Sequence, residues 1–591
     1  MKTQHETKAT DEFSTFKRRA VPDSCQSQHI ISILWMGSKR RIVMNASRFF
    51  TKGLWLLAAA TLVAGLASGQ TIKNKGTYTN TNALNAGAFQ NYKTGASGSG
   101  GVLNNSGTVT IGTNFVNSSG TFLGSVQNHI AATGGTIAVT GAYQNADGYT
   151  YNSKATSLIK VGASGANPIT NNTAARFATD TGKVEYTAAS NQTVLAAIKS
   201  TKYGALVLSG GSSAVKTLGG SVTVEGLVTI AASTEFAVGS SNTLTLNAAT
   251  PFSNSGTFTA NASGATTTYN NSSDQNVTGA AYYNLTLSDG GTKTVSDGAA
   301  TVSIAAGGTL TNGTGTFDLG TYDLTTTATS SVTNNSSGTI KTAGSVTFGA
   351  AHTIAGTFNY YKTTATQTIG TATYSNLTLS GGTGATGKKI FPSGTVSASG
   401  TYTVGGADRD YSTNSSTFAY AGATASTNQT ILSTESYYNL SLTGASDTTF
   451  TTAGRKRANG NLSVANNFTV SANNVLDMQG NTSITFGGTG TNSGKIMWQG
   501  DNTYVAGTGV TEFYGTGTGS VAAGTGYGVL WFTGSGQKTV GAVVTAGPGS
   551  GSGTGVYVGS SGDLNVTSTL TVNGDLENDG SITNSGTITV Q

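Results

Sequence analysis

YGALVLSG from Tyr203, YYNLTLSD from Tyr282, YSNLTLSG from Tyr374, YYNLSLTG from Tyr437 and YGVLWFTG from Tyr527 are five versions of one short string. Each begins with an aromatic residue, skips two positions and ends in a turn; between them the copies from Tyr282, Tyr374 and Tyr437 alternate apolar, polar and apolar, while Val207 and Trp531 take the middle position in the other two. Period-two alternation specifies a strand, and its recurrence specifies a repeat protein. The fifth version is the most divergent. Upstream of each copy a strand ends in Tyr186, Tyr269, Tyr360, Tyr420 or Tyr514. In the first four copies a glutamine then precedes a β-branched residue: Gln192 with Val194, Gln275 with Val277, Gln367 with Ile369 and Gln429 with Ile431. Downstream, Lys216-Thr217, Lys293-Thr294, Lys388-Lys389 and Lys538-Thr539 share one slot, which Thr448-Thr449 takes in the copy at Tyr437.

Successive copies of the leading tyrosine lie 79, 92, 63 and 90 residues apart, so the unit varies in length. A shorter element punctuates it: NNSGTV ending at Val109, NSSGTF at Phe122, NSGTF at Phe258, NSSGTI at Ile340, NSGKI at Ile496, NDGSI at Ile582 and NSGTI at Ile588. Asn and Gly tolerate positive φ, which predicts turns there, and the apolar residue that closes each element starts a strand. Apart from a weak TVLAAIKS run near Val194, residues 70–591 offer no helical periodicity. The reading is all-β.

Strings of separate sandwich domains are disfavoured by the variable unit length, the absence of a Cys and Trp pin, and the lack of Pro-rich linkers. A β-solenoid absorbs length changes as loops while its rungs stack. At about 25 residues per turn, residues 70–591 form on the order of 20 rungs and about 100 Å of stack. The expected domains are a divergent N-terminal solenoid region over 70–200, solenoid repeats over 201–545, and a Gly-rich loop with the C-terminal rungs over 546–591.

The chain has 591 residues, of which 9% are charged, with 83 Gly and 5 Pro. That is far less charge and proline than a disordered chain carries. The net charge of +6 sits in residues 1–69, which hold ten basic and four acidic residues. The remainder is neutral, with 21 of each sign, so nucleic acid is not an expected partner. Within that leader, Met44 opens a second start: Arg48 and Lys52 precede the apolar run Gly53–Leu66, and Ala67, Ser68 and Gly69 follow. This is the pattern of a signal peptide over 44–69 cleaved before Gln70. It makes 1–43 an upstream extension from a misassigned start and predicts a secreted or cell-surface chain. Cys25, the only cysteine, lies in the extension, so the mature chain has no disulfide or thiolate ligand.

YSNLTLSG, GTFDLGTYDL from Gly315 and NSGTFTA from Asn254 resemble the repeat regions of large secreted Gram-negative surface proteins, of the filamentous-haemagglutinin adhesin and autotransporter-passenger kind. The resemblance covers most of residues 200–591. It implies an elongated right-handed parallel β-helix of irregular repeats at the outer membrane or cell surface, with no active site carried over. Its implied partners are cell-surface or extracellular-matrix components, glycans among them. No membrane barrel follows the repeats, and the sequence stops inside one at Thr589-Val590-Gln591, which predicts end-to-end self-association of terminal rungs.

Polysaccharide lyases also use β-helices, so a glycan-binding or glycan-cleaving protein is the alternative. His129 and His352 are far apart, each in ordinary repeat surroundings that suggest a surface or turn, and neither has a metal-ligand partner. Asp408-Arg409-Asp410 and Arg455-Lys456-Arg457 are the densest ionic runs. Both read as solvated loops, and Asp408, Arg409 and Asp410 are also candidate glycan contacts. Trp498 and Trp531 are candidates for sugar stacking, although strand burial suits them too. GTGATGKK from Gly382 has phosphate-loop spacing but belongs to the repeat, and GPGSGSGTG from Gly547 lacks a surrounding βαβ unit. No cofactor, metal or catalytic residue is expected. Thr-x-Thr strands raise ice binding as a further idea, against which the irregular repeat length counts.

Overall fold

A computed structural model describes residues 71–591 apart from short stretches, of which 93–101, 119–128 and 445–454 are the longest. The leader and Cys25 lie outside the described residues. The chain winds into a β-solenoid of about 20 turns with almost no helix. In the first rungs every third strand pairs: Thr71–Asn74 with Ala88–Tyr92, Thr77–Asn80 with Val102–Asn105, and Ala83–Ala86 with Thr108–Ile111. The ladders are parallel, and the same three-strand rung closes the structure at Asp575–Asn578, Ser581–Asn584 and Thr587–Val590. The TVLAAIKS run is not an α-helix. Gln192–Val194 is a strand and Lys199–Thr201 a single 3₁₀ turn.

Alternation puts one apolar side chain of each pair inside, and stacking turns these into columns. Phe89, Phe115 and Tyr143 lie one above another with ring centroids 5.3 and 4.8 Å apart, and Phe513 stacks on Phe532 at 5.2 Å. Such columns bury rings wholly in a chain that has few large residues per rung. Asparagine ladders run beside them: Asn80 Nδ2 donates to Asn105 Oδ1 at 2.8 Å, Asn145 to Asn171 at 2.8 Å and Asn312 to Asn334 at 2.8 Å. Neutral amides can repeat on every rung without the repulsion that like charges impose.

The repeated tyrosines, glutamines and lysines form one internal fastening. Tyr186 and Tyr203 are fully buried with their hydroxyls 3.0 Å apart. Leu195 N–H donates to Tyr186 Oη at 2.9 Å, and Tyr203 O–H donates to Leu195 O at 2.6 Å. Donor directions then close a ring: amide to first tyrosine, first to second, and second back to the carbonyl of the same residue. Thr278 is held so by Tyr269 and Tyr282, Gly370 by Tyr360 and Tyr374, and Leu432 by Tyr420 and Tyr437. Desolvation raises all eight phenol pKa values, those of Tyr186 and Tyr269 to about 12.

Each glutamine points inward and donates to two carbonyls of the rung before, as Gln367 Nε2 does to Thr342 O at 2.9 Å and Gly344 O at 2.7 Å. On the next rung, in register, sits the buried lysine: Gln192 over Lys216, Gln275 over Lys293, Gln367 over Lys389. Lys216 Nζ donates to Ala188 O, Ser190 O and Gln192 Oε1 at 2.6, 3.1 and 2.6 Å. In the fourth copy the slot belongs to Lys456, which lies under Gln429, and not to Thr448-Thr449, which fall outside the described residues. The insertion at 445–454 displaced the lysine along the sequence but not in space. Lys389 takes the same slot in GTGATGKK, which is therefore a piece of the repeat.

The glycines of the N-S-G elements serve a different purpose from the one composition suggested. Gly256, Gly494, Gly580 and Gly586 do not adopt positive φ. A Cβ on Gly256 would lie 2.2 Å from Thr234 O, and one on Gly586 2.1 Å from Ser568 O. The glycine is needed because the backbone passes directly over the previous rung. The asparagine fixes the bend, with Asn254 Oδ1 accepting from Gly256 N–H at 3.1 Å and Asn584 Oδ1 from Gly586 N–H at 3.1 Å.

Candidate functional site

With the interior glutamines, lysines and tyrosines of the repeat bonded within the rungs, chemistry can face outward where strands present their alternate residues. Among the described residues several charges there are tied to a neighbouring rung: Lys160 to Glu185 at 2.9 Å, Lys341 to Asp318 at 3.0 Å and Lys388 to Asp410 at 2.7 Å. Tyr361 O–H adds a bond to Asp318 Oδ1 at 2.7 Å, and Lys341 Nζ lies 5.6 Å from the Tyr361 ring. An equivalent knot surrounds Asp477. Tyr514 O–H donates to its Oδ1 at 2.6 Å, while Arg455 and Arg457 approach its Oδ2 at 3.6 and 3.7 Å. Burial, together with that carboxylate, pushes the Tyr514 phenol up to about 12.

The ionic runs are not solvated loops. Arg409–Asp410 and Lys456–Ala458 are strands. Arg409 Nε donates to Glu435 Oε2 at 2.8 Å, and Tyr411 O–H donates to the same oxygen at 2.8 Å, so the enclosed Glu435 carboxylate is met from two sides. Asp410 accepts from Ser412 and Thr413 N–H at 2.9 Å each. Burial alone would raise its pKa, but these bonds and Lys388 outweigh burial and hold it far below the usual carboxylate range. Asp408 is half-buried beside them, and its carbonyl accepts from Lys389 N–H at 2.8 Å. His352 is also inside and not at a surface or turn: it starts the strand His352–Tyr360, is 8% exposed, and lies 3.0 Å from Thr326 Oγ1.

The candidate glycan contacts do not converge. Arg409–Asp410 belongs to a three-stranded sheet with Gln367–Thr368 and Lys389–Ile390, whereas Trp498 and Trp531 belong to an eight-stranded one. Trp498 is fully enclosed, in register with Phe513. Trp531 is half-buried on the outer face. No family model, characterised protein or solved structure matches this chain.

Around Trp531 the outer face carries a column that sequence reading did not assemble. Met497, Glu512, Trp531, Tyr557 and Glu577 are in register on five successive rungs. Lys495 Nζ pairs with Glu512 at 2.5 Å and lies 4.6 Å from the Trp531 ring, and Tyr557 meets that ring edge-on at 6.2 Å. Tyr557 O–H donates to Asp579 Oδ2 at 3.3 Å. The missed signal was a one-residue offset. Phe513, in register with Phe532, holds the core position that Tyr186, Tyr269, Tyr360 and Tyr420 fill elsewhere, so Tyr514 is turned outward.

Proposed function

We propose that this chain is a secreted or cell-surface structural and adhesive β-solenoid without a catalytic site. The observation that carries the reading is the use of its polar side chains. Among the described residues, the buried glutamines, lysines and tyrosines of the repeat bond backbone groups of the rungs and many outer charges pair from rung to rung, which supports a scaffold in which ionisable groups hold the rungs together. The leader at 44–69 supports export. N-terminal sequencing of the envelope or extracellular form tests this, with Gln70 the expected first residue. A mature protein that keeps Met1–Gly69 refutes export. Display of residues 70–591 on a non-adherent cell tests adhesion, which gain of surface attachment supports and its absence opposes.

Glycan binding is favoured as a second reading by one place, the Trp531–Tyr557 corner beside Glu577 and Asp579. A ring flanked by hydrogen-bonding carboxylates suits a pyranose, whose apolar face stacks while its hydroxyls are bonded. Retention on immobilised polysaccharide that Trp531→Ala abolishes supports this reading. Release of reducing sugars would overturn the non-catalytic one.

A further inference from the structure

Across six consecutive rungs one outer face carries a regular hydroxyl array. Thr223, Thr245, Thr268, Thr286, Thr311 and Thr333 are register partners in turn. Two residues earlier on each strand a second column runs through Thr243, Thr266, Asn284, Thr309 and Ser331. The residues between and after them point inward and are buried, including Leu244 with Leu246, Leu285 with Leu287 and Val332 with Asn334. The core columns therefore set the position of every outward side chain. No charged residue interrupts either column, and the Lys202–Glu225 pair stands at one edge of the first rung.

The irregular repeat length, which counted against a flat array, does not reach this face. Tyr282 pairs with Ile304 but Asn284 pairs with Thr309, so the later rung holds three extra residues just before the array, and the hydroxyl columns resume in register beyond them. Length variation is absorbed at the corners and the face stays periodic.

We propose that this face binds the surface of ice. Adjacent rungs place like atoms about 4.8 Å apart along the column, and alternate residues of a strand about 6.6 Å apart across it. Both distances are close to oxygen spacings in the ice lattice. Threonine suits such a template because β-branching leaves χ1 little freedom, so the hydroxyls are preorganised and lose little entropy on binding. A methyl beside each hydroxyl favours ordered water, whereas charges would impose hydration shells of their own. Bonds between rungs steady the array, with Asn284 Nδ2 donating to Thr266 Oγ1 and Ser331 Oγ to Thr309 Oγ1, each at 3.2 Å. Individually weak contacts on a rigid lattice add, since the first fixes the geometry of the rest. The inference goes beyond the adhesive reading and stands whether or not the chain is exported.

The test uses the full chain fused to a fluorescent protein, with circular dichroism melting as the check on folding. Incorporation into a growing ice hemisphere, faceting of single ice crystals and thermal hysteresis are expected of the native sequence. All three should be lost in the double variant Thr245→Tyr, Thr286→Tyr and retained in Thr229→Tyr, whose strand Val228–Ile230 belongs to a different sheet of the same rungs. If the tyrosine pair does not fold, Thr245→Ser with Thr286→Ser keeps the hydroxyls, removes the methyls and should diminish the hysteresis. Exclusion of the native protein from ice overturns the proposal. So does ice binding that the face variants leave intact. Retention on crystalline cellulose without ice binding also overturns it and reassigns the face to a polysaccharide lattice.

Discussion

Removing one hydroxyl from a tyrosine ring gives the sharpest test of what fastens the rungs. Tyr374→Phe takes away the donor to Gly370 O at 2.6 Å and the acceptor of the Tyr360 hydroxyl at 2.7 Å, leaving a buried carbonyl and a buried O–H without partners. The phenyl ring still fills its site, so no cavity term enters. Each orphaned group costs about 1–3 kcal/mol, and partial relaxation puts the total near 2–3 kcal/mol. Tyr360→Phe orphans Gly370 N–H and the Tyr374 acceptor by the same logic. In the double variant the two hydroxyls no longer need each other, so the cost should fall short of the sum by about 1 kcal/mol or more. Because solenoids open locally, the assay is hydrogen exchange at the Gly370 amide together with denaturant unfolding of the whole chain. Additive effects, or single costs under about 0.5 kcal/mol, would refute the closed-ring arrangement.

Burial pulls Lys216, Lys389 and Lys456 down to about 8 from 10.5. Between those values the unfolded chain binds more protons than the folded one, so stability should rise as pH goes from 8 towards 10, and replacing the three by Met should flatten that rise in thermal melts. Above 10 the buried tyrosines reverse the trend, since their raised pKa values make the folded state the one that holds protons. Arg409→Met strands the enclosed Glu435 carboxylate and should cost about 3–5 kcal/mol, of which adding Glu435→Gln recovers part; no recovery in urea titrations would argue against a compensating ion pair. Gly256→Ala forces a Cβ to within 2.2 Å of Thr234 O and should cost about 1–3 kcal/mol, while exposed Ser255→Ala should be silent by the same measurement.

The strands were legible because alternation is a local property: that of SVTVEGLVTI from Ser221 needs no knowledge of its neighbours, and the structure divides the stretch into the strands Val222–Val224 and Val228–Ile230. The Tyr, Gln and Lys slots were visible as spacing, but their purpose was not, since a ring that joins Tyr360, Gly370 and Tyr374 exists only once two rungs are stacked. The ionic runs misled for a related reason. Composition predicts that a charge in a polar stretch is solvated, yet Lys456 is fully buried, and the Gly422 carbonyl and Asn474 Oδ1 accept from its ammonium.

Unit length was the least informative quantity in the sequence, because it mixes two independent variables. The number of residues between corners decides which side chains face in and is held constant by alternation. The number within a corner decides only how far a loop protrudes. Tyr282, Asn284 and their partners Ile304 and Thr309 separate the two: the corner gains three residues and the faces on either side keep their register. Selection acting on an outer face of a solenoid can thus preserve a lattice of side chains while sequence spacing drifts. The threonine columns are recognisable by register and remain hidden to a search for a fixed period.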